Sequence, residues 1–179
     1  MVLEEKTISD KTIFSGRIIK VHTQEIAFPD GKRAQREIVE HPGGVGIVAV
    51  TDDNKIVMVK QYRKAVEKAI YEIPAGKLEG GEEPIKCGIR ELTEETGYTA
   101  ENFEYLGYIY PSPGFTDEVT HVFLATGLKL GNACPDEDEY VDVEYFTFDE
   151  ILEKIMNNEI NDAKTVMGFF KAAEKLKGR

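Results

Sequence analysis

Glu91, Glu94 and Glu95 follow directly on Arg90, and a fourth glutamate, Glu82, precedes them in a stretch that opens on Gly76, Gly80 and Gly81. If the stretch is helical, four residues of separation stack Glu91 over Glu95 and place Glu94 just around the barrel. Like charges at that spacing weaken an isolated helix by a few tenths of a kcal/mol per pair, about 0.2–0.5. The cluster therefore needs a counter-charge, and hard divalent cations bound through oxygen supply one. Taken alone, three glutamates on a helix are more simply a solvated acidic face.

The elements around the glutamates are legible. Pro84 suits a helix's first turn, because it has no N–H to lose and its φ is already helical. Good helix formers run from there to Thr96, and Gly97 stands where a left-handed residue would close the helix. At about 100° per residue, Ile85, Ile89, Leu92 and Thr96 form one stripe, expected to be the packing side. Gly88 lies one turn before Glu91, where glycine costs roughly 1 kcal/mol relative to alanine; its missing side chain is expected to leave room for ions or phosphates.

The complete pattern decides against the solvated face. Gly76 is followed by Glu82 and then by Arg90-Glu91-Leu92-Thr93-Glu94-Glu95-Thr96-Gly97 and Tyr98. This resembles the Nudix box, with Tyr98 standing where that family usually has an aliphatic residue. The resemblance implies the Nudix fold and hydrolysis of a nucleoside diphosphate linked to another group. It also implies two or three Mg2+ ions, with Mn2+ equally suited to oxygen ligands, held by Glu91, Glu94 and Glu95. Such ions would polarise phosphoryl oxygens and activate a water. They would also let an anionic diphosphate approach carboxylates. Arg90 would orient the glutamates through charge-assisted hydrogen bonds, helped by Glu82.

Further residues resemble the family's ADP-ribose pyrophosphatase branch. Pro113, fifteen residues beyond Tyr98 and set in Pro-Ser-Pro-Gly-Phe-Thr-Asp-Glu, looks like that branch's mark. By itself the same segment is a rigid turn. The resemblance implies a metal-ligand role for the Ala75 carbonyl, substrate contacts from Arg36, Arg63 and Glu118, and a catalytic base on a late loop at Glu139, with Glu137 as the alternative. Glu139, Arg90 and Glu94 thus make the expected catalytic set. Arg36 and Arg63 are also unremarkable as strand and surface arginines; guanidinium suits phosphate or adenine because its planar fork can pair or stack. The implied reaction converts ADP-ribose to AMP and ribose 5-phosphate. Hydrolysis of another nucleoside diphosphate sugar or a dinucleotide is the near alternative, and a non-catalytic ADP-ribose sensor the distant one.

With 33 acidic and 22 basic residues the formal charge is −11, which argues against a nucleic-acid partner and for a small-molecule substrate. No apolar run approaches the ~18 residues of a membrane span. The start of the sequence carries no basic segment before an apolar core, so a cytoplasmic protein is expected. Cys87 and Cys134 form no metal spacing and no disulfide framework and are taken as structural. His22, His41 and His121 have no nucleophile or metal motif beside them. The acidic run after Pro135 starts like a calcium loop but lacks its glycine and final glutamate.

In order, the chain offers a hairpin across Pro29-Asp30-Gly31, a buried run Val45–Val50, and a strand Ile56–Tyr62. After the box come strands Phe103–Tyr110, Val119–Ala125 and Val141–Phe146. A loop Gly127–Tyr140 separates the last two. Thr147 begins a helix with capping-box spacing, and Asn161 or Asp162 caps a last helix with an apolar stripe of Val166, Phe169, Phe170, Ala173 and Leu176. The expected class is α/β (α+β), a mixed sheet sandwiched between helices. Residues 43–179 form the catalytic domain. Residues 1–42 form a small antiparallel sheet that, by resemblance to the branch, exchanges between subunits of a homodimer.

Overall fold

Strand-forming residues dominate the first forty positions and fold as expected. The computed structural model describes residues 4–132 and 140–177. Strands β1 (Lys6–Ser15), β2 (Lys20–Ala27) and β3 (Arg33–Glu40) make a three-stranded antiparallel sheet in that order. Gly31, at φ 87°, closes the β2–β3 hairpin by donating its N–H to the Phe28 carbonyl at 2.9 Å. A conformation at positive φ is cheap for glycine alone.

The chain divides into two compact units, Met1–Gly43 with Tyr110–Val119, and Gly44–Ile109 with Thr120–Arg179. The second segment of the first unit is held to β3. Val39 N–H donates to the Phe115 carbonyl at 2.7 Å, and His41 N–H to Asp117 Oδ1 at 2.8 Å.

In the second unit the elements are β4 (Gly44–Val50), β5 (Lys55–Arg63), β6 (Lys68–Glu72), β7 (Ala75–Lys77), α1 (Pro84–Thr96), β8 (Tyr98–Ile109), β9 (Thr120–Leu130), β10 (Val141–Thr147), α2 (Phe148–Met156) and α3 (Ala163–Lys177). The sheet runs β10-β5-β4-β9-β8, with β4 and β9 parallel and the other pairs antiparallel. Strands β4 and β5 pair only at Ala49–Val57 and Val50–Ile56 and then part. Into the gap comes the segment leading to the box: β6 pairs with β5, β7 pairs with β4, and Ile47 N–H donates to the Pro74 carbonyl at 2.8 Å between them.

Strand alternation sends the core to both faces of the sheet. Val45, Ile47, Ala49, Val57, Phe123 and Ala125 pack with Cys87 and Leu92 of α1. Val48, Val50, Ile56, Met58, Val122 and Leu124 pack with Ile151, Ile160, Phe169 and Ala172 on the other side. This is the mixed sheet between helices that the sequence implies.

Several details differ from the sequence reading. Strands β6 and β7 were not anticipated, because five and three residues carry too short a pattern to declare themselves. Strand β8 begins at Tyr98 and β9 extends to Leu130, since the pairing Tyr98–Leu130 through Asn102–Thr126 gives hydrogen bonds to a stretch without apolar alternation. Gly127 therefore sits within a ladder rather than opening a loop. The last helix buries Thr165, Gly168, Phe169 and Ala172 and leaves Phe170 exposed, a stripe turned from the expected one. Asp162 is its cap, with Oδ2 accepting the Thr165 N–H at 2.9 Å. Thr147 and Glu150 form the expected capping box. Among the described residues no helix is long and apolar enough to cross a membrane.

Candidate active site

The box helix begins and ends as its sequence dictates. Pro84 follows the N-cap Glu83, and Gly97, at φ 75°, donates its N–H to the Thr93 carbonyl at 2.8 Å. Its packing face is only half the one expected, since Leu92 and Thr96 of the predicted stripe are buried. Ile85 and Ile89 are exposed, whereas Cys87, Gly88, Glu91, Leu92, Glu95 and Thr96 are buried. The helix turns part of its carboxylate side inward because Gly88 lets it approach the sheet. A Cβ on Gly88 would stand 3.2 Å from Phe103 Cε1 and 3.5 Å from Phe123 Cδ2. That glycine makes room for aromatic rings, not for ions or phosphates as the sequence suggested.

Two of the three glutamates converge on the strand that enters the box. Glu95, 3% exposed, accepts the Ala75 N–H on Oε2 at 2.9 Å. Glu91, 7% exposed, lies against Gly76 so closely that any Cβ there would collide with its carboxyl group. The inserted β7 thus forms a floor beneath Glu91 and Glu95, and glycine at position 76 is a requirement of contact.

Arg90 ties the cluster together. Its Nη1 donates to Glu91 Oε1 and Glu94 Oε2, each at 2.8 Å, and its Nε and Nη2 donate to Glu82 Oε1 and Oε2, each at 3.1 Å. The fork of guanidinium donors is what permits one residue to serve three carboxylates. The Arg90 bond holds the Glu82 carboxyl down to about 2, against an ordinary 4.5, while Glu82 in turn raises the pKa of Arg90. Burial, followed by the charge of Glu82, pushes the Cys87 thiol up to about 12. That thiol is buried and donates weakly to the Lys77 carbonyl at 3.5 Å, so it is not a nucleophile at neutral pH.

Arg63, at the end of β5, sits beside this group. Its Nε and Nη2 donate to Glu72 Oε1 and Oε2 at 2.6 and 2.9 Å, and Glu72 chiefly, with a smaller contribution from the charge of Glu95, raises its pKa. Glu72 is 1% exposed and pairs also with Lys164, whose ammonium lies 3.1 Å from Asp162 Oδ1. Burial opposes ionisation of Glu72, but the bond from Arg63 and the charge of Lys164 outweigh it and lower its pKa. One residue further on, Ile73 N–H donates to Thr165 Oγ1 at 2.9 Å.

The other expected contacts lie in the first unit. Arg36 donates from Nε and Nη2 to Glu5 at 2.9 and 2.5 Å. Glu118 Oε1 lies 3.9 Å from His41 Nδ1. The expected base Glu139, its alternative Glu137, and Cys134 lie outside the described residues. Glu72, Lys164 and Thr165 were missed by the sequence reading. Glu72 had a signal, as an acid between apolar neighbours just ahead of Gly76; Lys164 and Thr165, 92 residues from their partners, had none.

The donor set suits a hard divalent cation: buried carboxylates gathered over a peptide, with a cradle at Gly76 that a side chain would fill. Among the described residues no three acidic, histidine or cysteine side chains close on one point in the arrangement seen. Arg90 and the Ala75 amide engage one oxygen each of Glu91, Glu94 and Glu95.

Fold, box geometry and donor chemistry define a Nudix domain, and residues 40–167 match the family model of that domain: the chain belongs to the Nudix family. It is 51% identical over 165 residues to an ADP-ribose pyrophosphatase of Bacillus subtilis, covering 91% of this chain and 89% of that one. It is 50% identical over 180 residues to the methanol dehydrogenase activator of Bacillus methanolicus, covering 98% and 97%. An ADP-ribose pyrophosphatase of Mycobacterium tuberculosis is 35% identical over 166 residues, covering 91% and 80%. The fold of this chain matches that of an ADP compounds hydrolase crystal structure, with TM-score 0.87 over 98% of this chain and 95% of that one at 22% identity.

Proposed function

We propose that this chain hydrolyses the diphosphate bond of ADP-ribose, giving AMP and ribose 5-phosphate. The observation that carries the reading is the convergence of buried Glu91 and Glu95 on Ala75 and Gly76, with Arg90 bridging Glu82, Glu91 and Glu94. The ADP-ribose half of the reading is supported by the relatives of that activity at 51% and 35% identity.

Glu91, Glu94, Glu95 and the Ala75 carbonyl would hold Mg2+ ions, two or three, with Mn2+ as a substitute. When bound, such ions polarise the phosphoryl oxygens and lower the pKa of water. The chain's own residues do the rest. Arg90 keeps the glutamates oriented, Arg63 and Arg36 meet the diphosphate and adenine, and Glu118 meets the terminal ribose. Glu139 takes the proton from the attacking water, whose oxygen ends on phosphorus as the old P–O bond breaks. The first three strands would assemble a homodimer by exchange between subunits.

Product analysis after incubation with Mg2+ and ADP-ribose, ADP-glucose, GDP-mannose or NADH tests this, with EDTA and Glu95→Gln as controls. AMP and ribose 5-phosphate should form fastest from ADP-ribose and vanish in both controls. Faster turnover of another substrate overturns the ADP-ribose assignment, and near-normal turnover by a folded Glu95→Gln overturns the metal assignment. The 50% identity to a methanol dehydrogenase activator favours a second reading, action on a dehydrogenase. A methanol dehydrogenase assay with and without the chain distinguishes it.

A further inference from the structure

Glu72 is more deeply buried than Glu91 or Glu95. It faces two cations: the fork of Arg63 from β5, and the ammonium of Lys164 from the first turn of α3. Lys164 also faces Asp162 at 3.1 Å. Two carboxylates and two cations therefore balance. A buried carboxylate with a single partner would concentrate its whole field on that partner, since the interior screens weakly.

Arg63 is the more exposed of the two cations. Its side chain keeps 42% exposure against 15% for Lys164. Among the described residues no hydrogen bond engages its Nη1, so one edge of the guanidinium remains able to donate while the other holds Glu72. We infer that Lys164 is a positioning residue for Arg63: by sharing the charge of Glu72 it leaves the outer edge of Arg63 electropositive enough to receive a substrate phosphate. Without Lys164 the remaining three groups, two carboxylates and one cation, carry a net negative charge, and a diphosphate arriving at Arg63 meets repulsion. The neighbouring bond from Ile73 N–H to Thr165 Oγ1 fixes the register of α3 against the strand that carries Glu72, so the lysine is delivered to the same place in every molecule. The inference rests on the reading of the site as one that takes a diphosphate.

The experiment is a double-mutant cycle read by calorimetry, with ADP as the diphosphate probe in the presence of Mg2+. Lys164→Met keeps the aliphatic length and removes the charge, Lys164→Arg restores a cation, and Arg63→Met removes the proposed receiver. Where Arg63→Met fails to fold, Arg63→Lys, which keeps charge but lacks the fork, replaces it. Lys164→Met should weaken ADP about tenfold in the wild-type background, a coupling of ordinary size for contacting groups. Its effect should fall below twofold in the Arg63→Met background, and Lys164→Arg should bind within twofold of wild type. In turnover, Lys164→Met should raise KM about tenfold with kcat changed less than twofold. Unchanged ADP affinity, or equal weakening in both backgrounds, overturns the inference even if ADP-ribose is hydrolysed. Coupling in ADP binding without any wild-type turnover sustains the role of Lys164 and instead removes the hydrolytic reading.

Discussion

Arg90→Met removes five donations at once, two to Glu82, one each to Glu91 and Glu94, and a weak one to Cys87 Sγ. The Glu82 share can be bounded. Its carboxyl is held down to about 2 from an ordinary 4.5, by Arg90 first and by the Glu79 N–H and Cys87 as well; at 1.36 kcal/mol per pH unit the full depression corresponds to roughly 3 kcal/mol. The side chain keeps 17% exposure, and solvent screening together with the share that does not depend on Arg90 leaves at most about 2 kcal/mol to be lost. For a chain of this length that is a fall in Tm of about 4–8 °C. The sign with pH is definite. Because the folded pKa is depressed, the contribution is complete above the ordinary 4.5 and is lost as pH falls through about 2. Thermal melts of wild type and Arg90→Met should therefore differ at pH 7 and converge between pH 4.5 and 2. On the proposed metal-binding role of these glutamates, turnover should drop about 10–100-fold, the usual effect of losing a group that orients metal ligands. Arg90→Lys, with charge but no fork, should fall between the two. A Tm gap that persists undiminished at pH 2, or Arg90→Met turnover within twofold of wild type, would refute the reasoning.

Two further outcomes are expected. Gly76→Ala pushes a methyl group into the Glu91 carboxyl and should cost about 1–3 kcal/mol of stability with more than tenfold loss of turnover; full turnover in steady-state kinetics would show that Glu91 need not sit where it does. His22 is held between Asp10 at 2.9 Å and Glu40 at 3.3 Å, and Asp10 chiefly raises its pKa. Stability from this contact is complete below the ordinary 6.5 and is lost as pH rises through the raised value; an NMR titration of the His22 ring with a midpoint at or below 6.5 would contradict it.

The sequence was informative where one residue type solves one local problem. Pro84, Gly97, Gly31 and the Thr147–Glu150 capping box each answer a question of backbone conformation or unsatisfied donors within a few residues. Runs such as Val45–Val50 declare a buried strand by composition. What it misjudged was the rotation of helices. Apolar periodicity alone selected Ile85 and Ile89 for burial, whereas the absence of a side chain at Gly88 governs how the helix approaches the sheet. The same holds at Gly168, where a Cβ would stand 3.0 Å from Val48 Cγ2. Glycines that permit close packing carry no hydrophobicity and so weigh nothing in such a pattern. The Glu72–Lys164 pair escaped for another reason: its meaning lies in a partner chosen by topology, far along the chain.

That distance bears on how the molecule is made. Every residue of the box is available once Tyr98 has been synthesised, but the segment leading into it is braced at Glu72 and Ile73 by Lys164 and Thr165 of α3. Domains emerge amino end first at a finite rate, so a nascent chain carries its acidic cluster for some time without the brace. Hydrolytic competence is therefore expected only once Lys164 and Thr165 have joined the fold, and a nascent chain still lacking them would carry the box residues without that support.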